Sequence, residues 1–169
     1  MNDGAQRGIL PAMTNSEPDG AAVRLPPPLV FLGALVLGAV IQTFAPLRLE
    51  LPFALRAGGA LFAGAAGVAL LAGALSLFRR TGQDPKPWEP TPEIVSTGIY
   101  RFTRNPMYVG MALLLLALGL AFANAWIVAL VPTVLAVVYW TAVRHEEAYL
   151  ERKFGAAYEA YKARTRRWL

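Results

Sequence analysis

The sequence predicts an all-α integral membrane protein with about four transmembrane helices, and two observations lead to this class. The chain has 169 residues, of which 56% are hydrophobic and only 16% charged, whereas roughly 25% of the residues of a soluble domain are charged. The charges are also segregated, because residues 25–47, 57–78 and 105–143 contain none. A bilayer span needs about 20 apolar residues, so the first two stretches hold one helix each and the third holds two.

The boundaries of the spans follow from the residues that end a helix. Pro46 stops the first span and Arg79 the second, while a tight turn at Asn124 joins the third span to the fourth. Pro132 is expected to kink the fourth span. The predicted spans are about 29–44, 57–78, 107–123 and 126–143.

Small residues recur along one face of the second span. Gly59, Ala63 and Gly67 are spaced four residues apart. This stripe is either a seam that a neighbouring backbone approaches closely or a simple consequence of the high Gly and Ala content of membrane helices.

The segments outside the spans divide the chain into a tail and one membrane domain. Residues 1–28 are rich in Gly, Pro and small polar residues and predict a disordered cytosolic tail, so the domain covers 29–169. The connector from Arg79 to Pro106 contains four prolines within eight residues, which prevent a long helix. We expect an extended connector over the membrane surface, and connectors of this length are usually functional or disordered.

The positive charges predict the orientation. Four spans place the tail, the connector and the C-terminal segment on one side, and 14 of the 16 Lys and Arg residues fall in these three segments. Because cytoplasmic loops carry the excess of Lys and Arg, both termini are expected to face the cytosol. The predicted location is the cell (inner) membrane, as a multi-pass protein.

The last stretch, 148–169, combines apolar periodicity with basic residues. Gly155 is expected to divide it into two short helices. The stretch is either an amphipathic element lying in the membrane interface or a helix packed on the connector of the same chain. Its apolar residues, three or four positions apart, are Leu150, Phe154, Tyr158 and Tyr161.

The composition excludes several kinds of site. Without Cys there is no disulfide, thiolate metal site or Cys nucleophile, and with a single His we predict no metal site. The net charge of +5 does not indicate nucleic acid, because the basic residues flank apolar runs, where lipid headgroups and topology account for them. The oligomeric state is left open.

The densest group of polar residues is predicted at the cytosolic ends of the third and fourth spans. The two spans run outward from Asn124 with a rise of about 1.5 Å per residue. Counting along them brings residues 104–108 opposite residues 144–147, with a mismatch of roughly one helical turn.

Two adjacent carboxylates in this group, Glu146 and Glu147, need partners, because a helix end leaving the bilayer disfavours negative charge. The sequence leaves two partners open: an ion pair with Arg101 or Arg104, or the ammonium or ribose hydroxyls of a ligand. The neighbouring His145 is either a proton acceptor for an amine substrate or a solvated interface residue. We assign no catalytic residue.

Four motifs follow one another along the second half of the chain. They are Pro92-Glu93-Ile94-Val95-Ser96-Thr97-Gly98-Ile99-Tyr100, Arg104-Asn105-Pro106-Met107-Tyr108-Val109-Gly110, Glu146-Glu147 and Phe154-Gly155-Ala156-Ala157-Tyr158-Glu159-Ala160-Tyr161. In their order and spacing, over about residues 78–168, they resemble the isoprenylcysteine carboxyl methyltransferase family. That family and the related phospholipid methyltransferases are integral membrane enzymes that use S-adenosylmethionine.

The resemblance implies a cofactor site built from two segments, about 92–108 and 144–161. The residue before the motif proline is usually His, and Asn105 here keeps hydrogen-bonding capacity but removes a titratable ring. The positions that the resemblance assigns to the cofactor are Pro92, Glu93, Ile94, Val95, Tyr100, Asn105, Pro106, Met107, Tyr108, Glu146 and Glu147.

The chemistry of S-adenosylmethionine agrees with these assignments. Glu146 and Glu147 can accept hydrogen bonds from its ammonium or ribose hydroxyls, and Arg104 or nearby backbone amides can hold its carboxylate. Tyr100 or Tyr108 can offer a ring face to the sulfonium. The alternative for both tyrosines is anchoring at the membrane interface.

The predicted acceptor is lipophilic and comes from the bilayer. Eukaryotic members of the family carry a substrate-contacting Arg four residues before the matching Glu, where this chain has Ala142. Arg144 lies two residues later, about 200° around a helix, and is kept only as a candidate substrate contact. The resemblance implies a carboxylate as the favoured acceptor, which would need little acid or base catalysis because it is already ionised at neutral pH. A prenylated peptide is doubtful.

Three other functions stay open. The nearest is a phospholipid or amine N-methyltransferase of the same architecture. A membrane reductase with a nicotinamide cofactor shares the C-terminal helical arrangement, although no Gly-rich dinucleotide motif supports it. The third is a membrane scaffold without enzymatic activity.

Overall fold

The computed structural model describes residues 20–23, 25–82, 86 and 88–169, and in these residues the chain is helical, without strands. A 3₁₀ turn covers Gly98–Arg101, and a π turn covers Tyr139–Val143. The α-helices are α1 Pro27–Phe44, α2 Phe53–Thr81, α3 Pro106–Ala121, α4 Ala125–Val138, α5 Arg144–Phe154 and α6 Ala156–Arg164. The predicted all-α class is confirmed.

Three helices are long and apolar enough to cross a membrane: α1, most of α2, and one continuous helix from Ala125 to Phe154. The fourth apolar helix, α3, is shorter, with 16 residues. Large apolar side chains such as Leu61 and Phe62 are more than 70% exposed, as lipid-facing residues are. The chain is a membrane protein of about four spans, as predicted.

The N-terminal boundary of the helical bundle differs from the prediction. Helix α1 begins at Pro27, inside the segment expected to be tail, because proline is well tolerated in the first turn of a helix. Ala21 and Val23 are buried in the core. Residues 20–23 and 25–28 therefore belong to the folded domain, and the rest of the predicted disordered tail, residues 1–19 and Arg24, lies outside the described residues.

The second and fourth spans are longer than predicted. Helix α2 has 29 residues rather than the 22 predicted. The fourth span does not end at residue 143, since the π turn Tyr139–Val143 joins α4 to α5 without a break. The helix also continues through Pro132. One continuous helix thus runs from the turn at Asn124 to Gly155.

The helices pack in the order α2, α3, α4, α1, with α3 between α2 and α4. The small-residue stripe on α2 faces α3. Ala63 is 4% exposed, and a Cβ added at Gly67 would lie 2.8 Å from the Gly110 carbonyl oxygen. The stripe is therefore a packing seam, since only glycines allow these two backbones to approach so closely.

The two inter-helix turns at the far end of the bundle lie side by side. The Leu49 amide donates to the Ala123 carbonyl at 3.0 Å, and the Ala125 amide donates to the Leu47 carbonyl at 3.1 Å. The predicted turn at Asn124 is confirmed. The α1–α2 and α3–α4 turns share one end of the bundle, so the connector and the C-terminal segment share the other.

Asn124 ties three helices together at this end, and its replacement by alanine is expected to destabilise the fold. Its side chain caps α4 by accepting from the amides of Trp126 and Ile127, and it donates to the Gly38 carbonyl on α1 at 3.1 Å. Losing the cap and this buried bond costs about 2 kcal/mol in the free energy of unfolding. Thermal denaturation in detergent measures the effect. Thr43→Val, which removes only an exposed hydroxyl bond, is the control and should melt like the parent.

Candidate active site

A cavity lies at the end of the bundle opposite the two turns. Its walls come from the connector, the 3₁₀ turn, the start of α3, and helices α5 and α6. The cavity brings together eleven of the twelve residues that the sequence assigns to the cofactor. They are Glu93, Ile94, Val95, Tyr100, Arg104, Asn105, Pro106, Met107, Tyr108, Glu146 and Glu147.

Two predicted site residues lie outside the cavity lining. Pro92 is exposed between Thr91 and Glu93, which both line the cavity. The guanidinium of Arg144 stacks on the Trp140 ring, 5.1 Å from its centroid. Ala142 is fully buried in the hydrophobic core, so a charged substrate contact has no room at that position.

The start of α3 and the start of α5 face each other across the cavity, as the counting from Asn124 predicts. The Tyr108 hydroxyl donates a short hydrogen bond to the Glu146 carboxylate. Tyr108 is 8% exposed, so it is a buried cavity residue rather than an anchor at the membrane interface.

The carboxylate of Glu147 is held by two arginines. Arg167 makes a bidentate pair with it, with both N–O distances 2.9 Å, and Arg104 Nη2 lies 3.4 Å from Oε1. Of the two arginines that the sequence offers as partners, Arg104 makes the contact, whereas Arg101 is exposed. Arg167 was not predicted.

Two nitrogen atoms of the Arg104 guanidinium, Nε and Nη1, have no hydrogen-bond partner among the described residues. The side chain is nevertheless only 10% exposed. Leaving a buried charged donor unpaired is costly. These two N–H groups of a cavity residue therefore indicate a place for an anionic ligand group.

Residues 165–168, here called the C-terminal strap, pass beneath the start of α3. The Arg104 amide donates to the Arg166 carbonyl at 2.9 Å. The Arg167 carbonyl accepts from Asn105 Nδ2 at 2.9 Å and from the Thr103 hydroxyl at 3.1 Å. Asn105 thus uses its side-chain donor to hold the strap.

Helix α6 packs on the connector. The Tyr161 hydroxyl donates to the Tyr100 carbonyl at 2.8 Å, and Tyr158 and Tyr161 are both buried. The sequence left open whether the C-terminal stretch lies in the membrane interface or packs on the connector. Tyr158 and Tyr161 fit the second interpretation, because they are buried and Tyr161 bonds to the residue Tyr100. The predicted break is confirmed at Gly155, whose φ of 51° favours glycine.

Burial keeps the tyrosines of the cavity wall protonated. It raises the pKa of Tyr161 to about 12 and raises the pKa of Tyr100 further, with the neighbouring Tyr161 and Glu146 adding to the shift at Tyr100. At neutral pH these hydroxyls are hydrogen-bond donors and do not carry charge.

Other cavity residues were not assigned individually to the cofactor from sequence. Tyr149, Tyr158 and Tyr161 fall within the predicted site segment 144–161, and the Tyr149 hydroxyl accepts from the Thr91 amide at 3.2 Å. The additional lining residues are Phe78, Lys86, Thr91, Tyr149, Leu150, Tyr158 and Tyr161. Among the described residues, no group of three or more His, Asp or Glu could hold a metal ion.

Comparison with known proteins identifies the class to which this fold and cavity belong. The family model described as phospholipid methyltransferase matches residues 54–157, more than half of the chain and nearly all of the cavity. The chain therefore belongs to the phospholipid methyltransferase family of integral membrane methyltransferases, as the motifs predicted.

One relative matches part of the chain. An uncharacterised protein of Haemophilus influenzae is 40% identical over 65 residues, which cover 37% of this chain and the whole of that relative. No solved structure matches the chain. The family implies methyl transfer to a lipid or lipophilic substrate, and its members generally use S-adenosylmethionine.

Proposed function

We propose that this protein is an S-adenosylmethionine-dependent methyltransferase that methylates a lipophilic acceptor, with a carboxylate as the preferred acceptor group. The observation that carries the proposal is the cavity itself. Its lining includes Glu146 and Arg104, and two buried guanidinium nitrogens of Arg104 have no hydrogen-bond partner among the described residues, which supports a polar ligand site at this end of the bundle.

The donors and acceptors of the cavity suit the polar groups of S-adenosylmethionine. Arg104 would hold the carboxylate, and Glu146 would accept from the ammonium or the ribose hydroxyls. The buried rings of Tyr100 and Tyr108 offer aromatic faces for a sulfonium. When bound, this cofactor supplies the electrophilic methyl group.

The chain's own residues contribute position and exclusion of water. No His lines the cavity in the described part of the chain, and Glu147 is neutralised by two arginines. A carboxylate acceptor needs no base, because it is ionised at neutral pH. Orientation in a water-poor site then provides the rate enhancement.

A phospholipid amine is the second candidate acceptor, and the family description favours it. An ammonium must lose a proton before it can attack. Glu93, exposed at the mouth of the cavity, is a carboxylate that could receive this proton through water. For either acceptor, we propose that the substrate comes from the bilayer and the cofactor from the cytosol, with both termini cytosolic.

Binding and turnover by the detergent-purified protein test this proposal. We expect S-adenosylmethionine to bind in calorimetry and NADPH not to bind. Methyl transfer is then compared between lipophilic carboxylates and phosphatidylethanolamine. Binding of NADPH alone would support the reductase, and binding of neither by a folded protein would support the scaffold. Transfer to phosphatidylethanolamine alone would replace the carboxylate acceptor by the amine.

A further inference from the structure

The two arginines around Glu147 hold it in different ways. Arg167 forms a bidentate pair with both carboxylate oxygens at 2.9 Å, which is the strongest geometry for this kind of contact. Arg104 reaches the same carboxylate with Nη2 alone, at 3.4 Å. The tight partner of Glu147 is therefore Arg167, and Arg104 contacts this carboxylate more loosely.

Arg167 is fixed from several directions. Its backbone carbonyl accepts from Asn105 and Thr103, and its guanidinium stacks on the Tyr139 ring, 5.0 Å from the centroid. The strap thus delivers this side chain to Glu147 from outside the cavity, since Arg167 is not among the cavity-lining residues.

The charges of this triad leave a surplus on the cavity side. Two guanidinium groups and one carboxylate sum to a net charge of +1. Arg104 is the arginine that lines the cavity, and two of its buried nitrogens have no hydrogen-bond partner among the described residues. Without Arg167, the remaining pair of Arg104 and Glu147 would be neutral. Glu147 would also be free to take more of the N–H groups of Arg104.

We propose that Arg167 is a positioning residue of the cofactor site: by occupying Glu147, it leaves the guanidinium of Arg104 available for the carboxylate of the bound ligand. This inference rests on the proposed function, because S-adenosylmethionine is the ligand whose carboxylate Arg104 would hold. It assigns to the C-terminal strap a role in selecting an anionic group.

Arg167→Gln tests the proposal when two ligands are compared by calorimetry. S-adenosylmethionine carries the carboxylate, and decarboxylated S-adenosylmethionine lacks it. We expect the variant to bind the intact cofactor about tenfold more weakly, the scale of one charge-assisted contact, and the decarboxylated analogue as the parent does. Arg152→Gln, the same charge change at an exposed position of α5, is the control and should bind both ligands normally.

A second variant separates positioning from folding. Glu147→Gln combined with Arg167→Gln restores the net charge of +1 around Arg104, so we expect it to regain most of the affinity for the intact cofactor. If Arg167 served only to hold the fold together, removing its partner Glu147 as well would not restore the affinity for the intact cofactor.

The results of these binding measurements distinguish failure of the positioning role from failure of the proposed function. Equal weakening of both ligands in Arg167→Gln, no weakening, or no recovery in the double variant would overturn the positioning role while leaving the proposed function intact. If the parent protein binds neither ligand, the proposed function and this inference fail together.

Discussion

Replacing Glu146 with alanine is expected to lower the affinity for S-adenosylmethionine by about a hundredfold, because it removes a carboxylate acceptor from the cavity wall. Glu146 lines the cavity and accepts a hydrogen bond from the Tyr108 hydroxyl. Tyr108→Ala, which removes this donor and the ring together, is expected to have a similar effect. Calorimetry on the purified variants measures both.

Conservative variants show which property of Glu146 matters. Glu146→Gln keeps the shape of the side chain and loses its charge, so it should bind poorly if the carboxylate meets an ammonium and nearly normally if it meets hydroxyls. Glu159→Ala removes an exposed carboxylate of α6 and should leave affinity unchanged. Binding by Glu146→Ala equal to that of the parent would remove this residue from the site.

Enlarging Gly67 is expected to have the largest effect on the fold. A Cβ at this position would lie 2.8 Å from the Gly110 carbonyl oxygen and 3.1 Å from Leu114, so Gly67→Val forces α2 and α3 apart. Overpacking of this kind costs typically about 3 kcal/mol in the free energy of unfolding. Gly58→Val on the same helix, where an added Cβ meets nothing within 4 Å, is the matched control. Thermal denaturation in detergent compares them, and equal melting temperatures would contradict the seam.

The spans were predictable because charges are excluded from the bilayer, so their spacing along the chain marks the helices. The residues at which the helices begin and end were less predictable. The three prolines 26–28 have the composition of a linker, yet Pro27 and Pro28 open α1, since the first turn of a helix needs no amide donors there. The π turn Tyr139–Val143 left no mark in the sequence, because its apolar residues suit an α-helix equally well.

The site was predictable where regular helix geometry fixes which residues meet. Tyr108 and Glu146 could be placed opposite each other because a tight hairpin returns its helices to equal depth. Arg167 could not, because its contact with Glu147 depends on the path of the strap after α6. A cluster of arginines at the end of the chain fits a solvated surface as well as a buried ion pair.

The length of α3 sets the depth at which the chemistry takes place. Its 16 residues span about 24 Å at the rise of an α-helix, less than the roughly 30 Å thickness of the hydrocarbon layer. Such hydrophobic mismatch is relieved by local thinning of the bilayer around the short helix. Because Arg104 and Tyr108 flank its first residue, we expect the cavity to lie at the level of the lipid headgroups. Under the proposed function, an acceptor would react without leaving its leaflet, and its mole fraction in the membrane, rather than its concentration in water, would determine the rate.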